Sequence, residues 1–264
     1  MKNLFLLALT VVLLISCKQK TSEETPNYKE ETLNVTTSIY PETITKVFDA
    51  HGGIDSWNKM NTLEFLITKP AGEEKHTTDL KTRKSLIDMQ KHTIGFNGEK
   101  VWLNNKFEDE YKGNPKFYYN LMFYFYAMPF VLADDGINYE EAEPLTFEGV
   151  TYPGVKISYE AGVGESPDDE YILYYNAETY QMEWLAYTVT FRSKKKSEKF
   201  SFIKYGVWED LNGLKLPKTI SWYKVEDNKP TELRKTLTFN KTKAEEVKLD
   251  TSVFEAPEGS KIIE

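Results

Sequence analysis

Side chains that could carry out acid–base or metal chemistry are scattered along the 264-residue chain rather than grouped. The three histidines lie far apart, at His51, His76 and His92, and the sequence has no HExxH, CxxC or Gly-x-Ser-x-Gly motif. Three adjacent acids, Asp168 to Glu170, belong to a charged turn in which water would solvate them. A hydrolase that uses paired carboxylates therefore stays an alternative without a visible set of residues, and we predict no catalytic residue.

Oxygen ligands of the kind that Ca²⁺ prefers occur at Asp134, Asp135 and Asn138. Their spacing does not match the calcium-binding loop of an EF-hand, and the segment from Ala133 to Gly136 is typical of a turn that ends a helix. We therefore predict neither a metal site nor a cofactor.

The most distinctive chemistry is aromatic and lies in the stretch Phe117 to Leu132, FYYNLMFYFYAMPFVL, which has no charged residue. As a helix it would be apolar on nearly all sides, so that the rest of the fold must cover it. It is shorter than the about 20 apolar residues that cross a bilayer. Asn114 and Pro115 are typical of a cap and a first turn, and Pro129 predicts a kink or an end. The stretch is thus predicted to be a helix sunk into the fold.

Such a helix either forms plain core or covers a cavity that holds an apolar ligand. If the helix covers a cavity, the ligand would be a lipid or an acyl chain, and tryptophans on later strands would contribute to the wall of the cavity. The predicted ligand-binding residues are Tyr118, Leu121, Met122, Phe125, Tyr126, Met128, Phe130, Trp184 and Trp222. If the helix forms plain core, the protein is an interaction module that binds an envelope protein partner through its outer surface.

The N-terminus has the features of an export signal. Lys2 precedes an apolar run, Leu4 to Ile15, which is too short for an ordinary membrane span. The run ends in Leu14-Ile15-Ser16-Cys17, which resembles the lipobox of bacterial lipoproteins. The resemblance implies a signal peptide at 1–16 and lipidation of Cys17, the single cysteine of the chain. By analogy with Gram-negative sorting rules, Lys18 indicates anchoring in the outer membrane. The domain is predicted to face the periplasm, with the cell surface as the alternative.

Composition separates a tether from one large domain. Residues 17–38 are rich in Thr, Ser, Glu and Lys, which is typical of a flexible segment. The remainder, 39–264, shows no second boundary and no internal repeat. The formal net charge is −8 and the isoelectric point is about 5.2, so that a nucleic acid is excluded as a partner by the lack of a basic face.

Periodicity predicts a small helical start followed by strands. A helix begins near Pro41 and ends at Gly52–Gly53, with His51 interpreted as a packing or dipole-complementing residue at its end. From Asn61 onward the apolar period changes from 3.6 to 2. Several strands are apolar on both faces, and Trp184 is adjacent to Leu185. The last part of the domain is predicted to be a run of strands: Tyr171 to Tyr175, Met182 to Arg192, Lys199 to Trp208, Leu214 to Val225 and Leu233 to Lys241.

Short motifs at both ends of the domain carry a family resemblance. Gly52, Gly53 and Trp57, the strand opening Gly213 to Pro217, and the terminal Phe254 to Pro257 together resemble the Lol-type lipoprotein-carrier superfamily of Gram-negative envelopes. The resemblance implies an α+β fold, in which an unclosed, strongly curved antiparallel sheet of roughly 9–11 strands is covered by helices on its concave side. It also implies that acyl chains bind in the concavity.

The aromatic stretch carries a second and more specific resemblance. Tyr124 to Asp134, YFYAMPFVLAD, is similar to an uncharacterised family of envelope lipoproteins, a domain of unknown function. The likeness covers about residues 40 to 260, so that we expect one Lol-carrier-like domain over 39–264.

Overall fold

The computed structural model describes residues 39–160, 168–191, 193 and 195–264. The predicted signal peptide at 1–16, the lipidation site Cys17 and the tether at 17–38 lie outside the described residues, and they stay predictions.

One antiparallel sheet of thirteen strands organises the described chain. Its strands are β1 Thr62–Lys69, β2 Gly72–Asp79, β3 Ser85–Met89, β4 His92–Phe96, β5 Val101–Asn105, β6 Ile137–Phe147, β7 Val150–Tyr159, β8 Tyr171–Tyr175, β9 Met182–Tyr187, β10 Ser201–Leu211, β11 Leu214–Glu226, β12 Lys229–Glu245 and β13 Lys261–Ile263. Their order across the sheet is β13-β5-β4-β3-β2-β1-β12-β11-β10-β9-β8-β7-β6. The two edge strands do not pair with each other, so the sheet is unclosed.

The predicted fold class is confirmed, with one correction of detail. The strands number thirteen instead of roughly 9–11, and the short C-terminal strand β13 is one that lacks a clear alternating pattern. The long-range pairing of β1 with β12 joins the first five strands to the rest. The sheet curls, since Phe65 on β1 and Tyr205 on β10, three strands apart, both contact the same short helix.

Among the described residues, four α-helices pack against the sheet: α1 Glu42–Ala50, α2 Ile54–Lys59, α3 Pro115–Tyr118 and α4 Leu121–Tyr126. Helix α1 buries Ile44, Val47 and Phe48, which its helical period places on one side. The predicted stop is explained by close approach: a Cβ atom on Gly52, where φ is +106°, would lie 2.0 Å from the carbonyl oxygen of Gly213. Only glycine fits this contact.

The single aromatic helix predicted for Phe117 to Leu132 is wrong. The stretch forms α3, then α4, then a 3₁₀ turn at Phe130–Ala133. Asn114 caps α3 as predicted, because its Oδ1 accepts the N–H of Phe117 at 3.2 Å. Helix α4 ends at Tyr126, three residues before Pro129. The breaks let aromatic side chains turn toward different parts of the curved sheet, which one straight helix cannot do.

The C-terminal segment packs the end of the chain onto the first strands. A 3₁₀ turn at Thr251–Phe254 is capped by Asp250, whose Oδ1 accepts the N–H of Ser252 at 2.9 Å. The indole N–H of buried Trp102 donates to the carbonyl of Phe254 at 2.9 Å. Strand β13 then pairs with β5 and becomes the edge strand on this side of the sheet.

Candidate functional site

The concave face of the sheet is built from apolar rows on neighbouring strands. On β1 the row is formed by Leu63, Phe65 and Ile67, each at most 1% exposed, because alternate residues of a strand share a face. Strand β12 contributes Phe239, and β11 contributes Ile220, both fully buried. These rows belong to one continuous core that also includes α1, α2 and α4.

The aromatic segment covers this face as a layer, which we define as residues 117–133. Met122, Phe125, Tyr126, Met128 and Phe130 are all buried in it, with at most 6% exposure. The ring of Tyr126 lies 4.5 Å from that of Phe65 and 4.5 Å from that of Phe239, between two strands. The interior of the concave face is therefore filled by aromatic side chains of the layer.

At the rim of the layer, several members of the predicted set are half-buried. Tyr118, Leu121 and Trp222 pack against the core while part of each side chain reaches solvent. The ring of Phe125 lies 4.9 Å from that of Tyr187 and 6.1 Å from that of Trp222. The indole N–H of Trp222 donates to the Tyr187 hydroxyl at 3.2 Å. These contacts join β11, β9 and α4 in one aromatic cluster at the rim.

A few hydrogen bonds hold the backbone of the layer to the sheet. The Tyr205 hydroxyl donates to the carbonyl of Phe125 at 2.8 Å, inside the core. The Ser85 hydroxyl donates to the carbonyl of Tyr119 at 3.3 Å, and the Tyr126 hydroxyl donates to Thr242 at 3.2 Å. Since α3 and α4 have only four and six residues, most of their order derives from these bonds and from packing.

Trp184 is the member of the predicted set that the structure places elsewhere. Its fully buried ring lies 4.8 Å from that of Phe147 and 4.8 Å from that of Tyr223, in a second cluster. Its neighbour Leu185 belongs to the main core instead, since successive residues of a strand point to opposite faces. The structure thus brings the other eight predicted residues together and leaves Trp184 on the opposite face of the sheet.

A polar cluster that the sequence reasoning missed lies at the rim of the layer. The Tyr118 hydroxyl donates to Glu74 Oε2 at 2.6 Å, and Lys69 Nζ contacts both that hydroxyl and the Glu74 carboxylate, the latter at 2.9 Å. The buried His76 places its Nε2 3.5 Å from Glu74 Oε2. The sequence contains a signal of this cluster, because Glu74 and His76 occupy alternate positions of one strand, directly after the turn that follows Lys69.

The electrostatics of this cluster keep Glu74 ionised. Burial opposes its charge, yet the neighbouring His76, Tyr118 and Lys69 groups together lower the pKa of Glu74 to about 2. Burial lowers the pKa of His76 below its ordinary value, although Glu74 opposes this shift. Burial, followed by the Glu74 charge, raises the pKa of Tyr118, so its hydroxyl stays protonated. The charge-assisted hydrogen bonds of this cluster attach α3 to β1 and β2.

Four cavities of the described residues border the layer or lie away from it. One of about 370 Å³ is lined by Trp57, Phe130 and Asp134, and one of about 580 Å³ lies between α1 and the β6–β7 hairpin. One of about 60 Å³ is lined by Tyr119 and Phe123, and an open polar one of about 950 Å³ is lined by β7 and residues 196–199. Phe130 is the one predicted ligand residue in the linings of these four.

A metal site and a membrane-spanning helix are both absent from the described part of the chain. Its His, Cys, Asp and Glu side chains form no group of three or more that could hold a metal ion. Each helix in the described ranges is too short or too polar to cross a membrane.

Comparison with known proteins gives one family and several similar structures. The model of the family of unknown function DUF6503 matches residues 90–237, which confirms the recognition of an uncharacterised domain. No curated protein matches the chain.

Three similar solved structures have low sequence identity to this chain. A DUF1329 family protein from Desulfovibrio piger is 10% identical, with a TM-score of 0.47, over 81% of this chain and 98% of its own. A LolA superfamily protein from Nitrosomonas europaea is 8% identical, with a TM-score of 0.44, over 76% of this chain and 96% of its own. A domain from Vibrio parahaemolyticus, described as an outer membrane lipoprotein-sorting protein domain, is 7% identical, with a TM-score of 0.39, over 78% of this chain and 96% of its own.

Proposed function

Because this chain belongs to DUF6503, a family whose function is unknown, the site itself has to indicate the activity, and we propose that the protein binds a lipid or acyl chain without catalysing a reaction. The ligand lies between the layer and the concave face of the sheet. The observation that carries this proposal is the covering layer, in which short aromatic helices supply the side chains that fill the concavity.

The layer has the physical properties of a displaceable cover. Helices of four and six residues are far below the length at which a helix is stable alone, so the layer depends on its contacts with the sheet. An acyl chain can replace those contacts, because each buried CH₂ group contributes about 0.8 kcal/mol. The half-buried Tyr118, Leu121 and Trp222 mark the rim at which a chain would enter.

Anchoring is the second part of the proposal. The lipobox-like Leu14-Ile15-Ser16-Cys17 supports lipidation of Cys17, and Lys18 supports retention in the outer membrane of a Gram-negative envelope, with the domain facing the periplasm. A tether of residues 17–38 would keep the binding site close to the membrane that supplies the ligand.

Mass spectrometry of the gently purified protein, combined with lipid extraction of the same sample, tests the binding proposal. We expect a stoichiometric lipid in the wild type and its loss in Phe125→Asp, which places a charge inside the concavity. Leu121→Asp, at a half-buried position, gives a milder version that keeps the core intact. Val207→Asp is the matched control, since Val207 is 64% exposed.

The result that contradicts the proposal is unchanged loading in a folded Phe125→Asp or Leu121→Asp variant. A wild type that carries no lipid and takes none up from an envelope lipid extract would favour the alternative, an interaction module that binds an envelope protein partner. The observation in favour of that alternative is the close packing of Tyr126 between Phe65 and Phe239.

A further inference from the structure

The apolar rows of the concave face end at one rim with cationic or aromatic side chains. On β1 the row ends at Lys69, on β12 at Lys235, and on β11 at Trp222, which is directly opposite Lys235 in the pairing of the two strands. The residues that precede these ends on the same face are the apolar Ile67, Leu237 and Ile220. Along β1 and β12 this face therefore changes from apolar to cationic between one inward-facing residue and the next, and along β11 it ends at an aromatic residue.

Both lysines lie against rings of the predicted ligand-binding set. Lys235 Nζ is 4.5 Å from the ring centroid of Trp222, and Lys69 Nζ is 4.6 Å from that of Tyr118. Contacts of this kind hold an ammonium group over an aromatic face. The cations are thus fixed beside the rim at which the layer meets the sheet.

The charges at this rim do not balance. The Glu74 carboxylate neutralises Lys69, at 2.9 Å. Within the described residues, Lys235 has no carboxylate partner, and the charged groups that act on it are Lys69 and Arg234, both positive. Burial and these two cations lower the pKa of Lys235. An uncompensated positive rim in a protein of net charge −8 is a feature that a negatively charged ligand group would stabilise.

We propose that the ligand is an anionic amphiphile, whose carboxylate or phosphate headgroup binds Lys235 while its apolar chain enters between the layer and the sheet. This inference rests on the proposed function and adds the chemical class of the ligand. Arg234, which follows Leu233 on β12 and acts on the Tyr187 hydroxyl, is the second cation within reach of the headgroup. The chain would pass Trp222 and Phe125, whose rings are 6.1 Å apart.

The test compares a long-chain fatty acid with its methyl ester, below their aggregation concentrations, in calorimetric titrations of the purified protein. We expect the wild type to bind the acid about tenfold more tightly than the ester, the scale of one charge-assisted contact. Lys235→Gln should bring this ratio close to one by weakening the binding of the acid. Lys248→Gln, at an exposed residue, is the control that removes an equal charge elsewhere.

The outcomes separate this inference from the proposed function. Equal binding of acid and ester by the wild type, or an unchanged ratio in Lys235→Gln, would overturn the headgroup assignment while chain binding stands. If neither compound binds, the proposed function fails and the headgroup assignment falls with it. Displacement of the acid by inorganic phosphate at matched ionic strength, with no effect of chain length, would assign the rim to a free anion and refute the amphiphile.

Discussion

Protonation of His51 should destabilise the fold, because both ring nitrogens are already committed in the neutral form. The ring is fully buried at the end of α1. Its Nε2 accepts the N–H of Met182 at 3.0 Å, so the proton must lie on Nδ1, which faces the carbonyl of Lys215 at 3.3 Å. A second proton would remove the acceptor for Met182 and leave a buried charge.

The size of the effect follows from linkage between protonation and folding. Burial lowers the pKa of His51 from 6.5 to about 4, although the hydrogen bond with the carbonyl of Lys215 acts to raise this pKa. A lowered pKa in the folded state means that the unfolded chain binds the proton more tightly. The contribution of His51 is therefore complete above pH 6.5 and is lost as the pH falls toward 4. Between pH 7 and pH 5 the loss amounts to about 2 kcal/mol of unfolding free energy.

Urea denaturation at pH 7 and pH 5 measures this loss in the wild type and in His51→Gln, which keeps a donor and an acceptor without a titrating ring. The variant should lose about 2 kcal/mol less than the wild type over this interval. Other groups, including buried His76, titrate in both proteins and cancel in the comparison. A difference between the two proteins that stays constant with pH would refute the assigned protonation of His51.

Two further substitutions test the packing that positions the layer. Gly52→Ala should be more destabilising than Gly149→Ala in thermal unfolding: both glycines have positive φ, but a Cβ on Gly52 meets the Gly213 carbonyl whereas one on Gly149 meets open space. Equal losses would show that backbone conformation alone matters. Tyr205→Phe should cost about 1–3 kcal/mol and speed hydrogen exchange in α4, because the Phe125 carbonyl loses its buried donor. Unchanged exchange would show that this bond does not hold the layer.

The parts of the fold that could be predicted are those in which local sequence features, such as the period of the apolar residues and the residues that flank them, point to one structure. Strand β8 is found at Tyr171–Tyr175, as its composition and flanking turns predicted. The end of α1 at Gly52–Gly53 was predicted from a conformational preference, and the contact with Gly213 gives its physical cause. In both cases, neighbouring residues in the sequence determine the structure.

Features that depend on distant contacts could not be predicted in this way. Trp184 and Leu185 are both large and apolar, so that their sequence does not indicate which one faces the layer. The aromatic segment is apolar on every side, and its period therefore gave neither an inward face nor the break after Tyr118. The cluster around Glu74 requires the register of β1 with β2, in which Glu74 lies opposite Ile67.

The position of the layer follows from the order of the strands. Strand β5 lies next to one edge of the sheet and β6 forms the other edge, so the chain between them has to cross the whole concave face. Eleven strand spacings separate the two, or about 50 Å in a flat sheet. A straight helix of the sixteen residues 117–132 would span only about 24 Å, so the flanking residues 106–116 and 133–136 and the curling of the sheet have to account for the rest. A ligand that displaces the layer would consequently act on the connection between the two halves of the sheet rather than on a free loop. Under our proposal, chain entry at the Lys235 rim and the curvature of the sheet are therefore mechanically coupled.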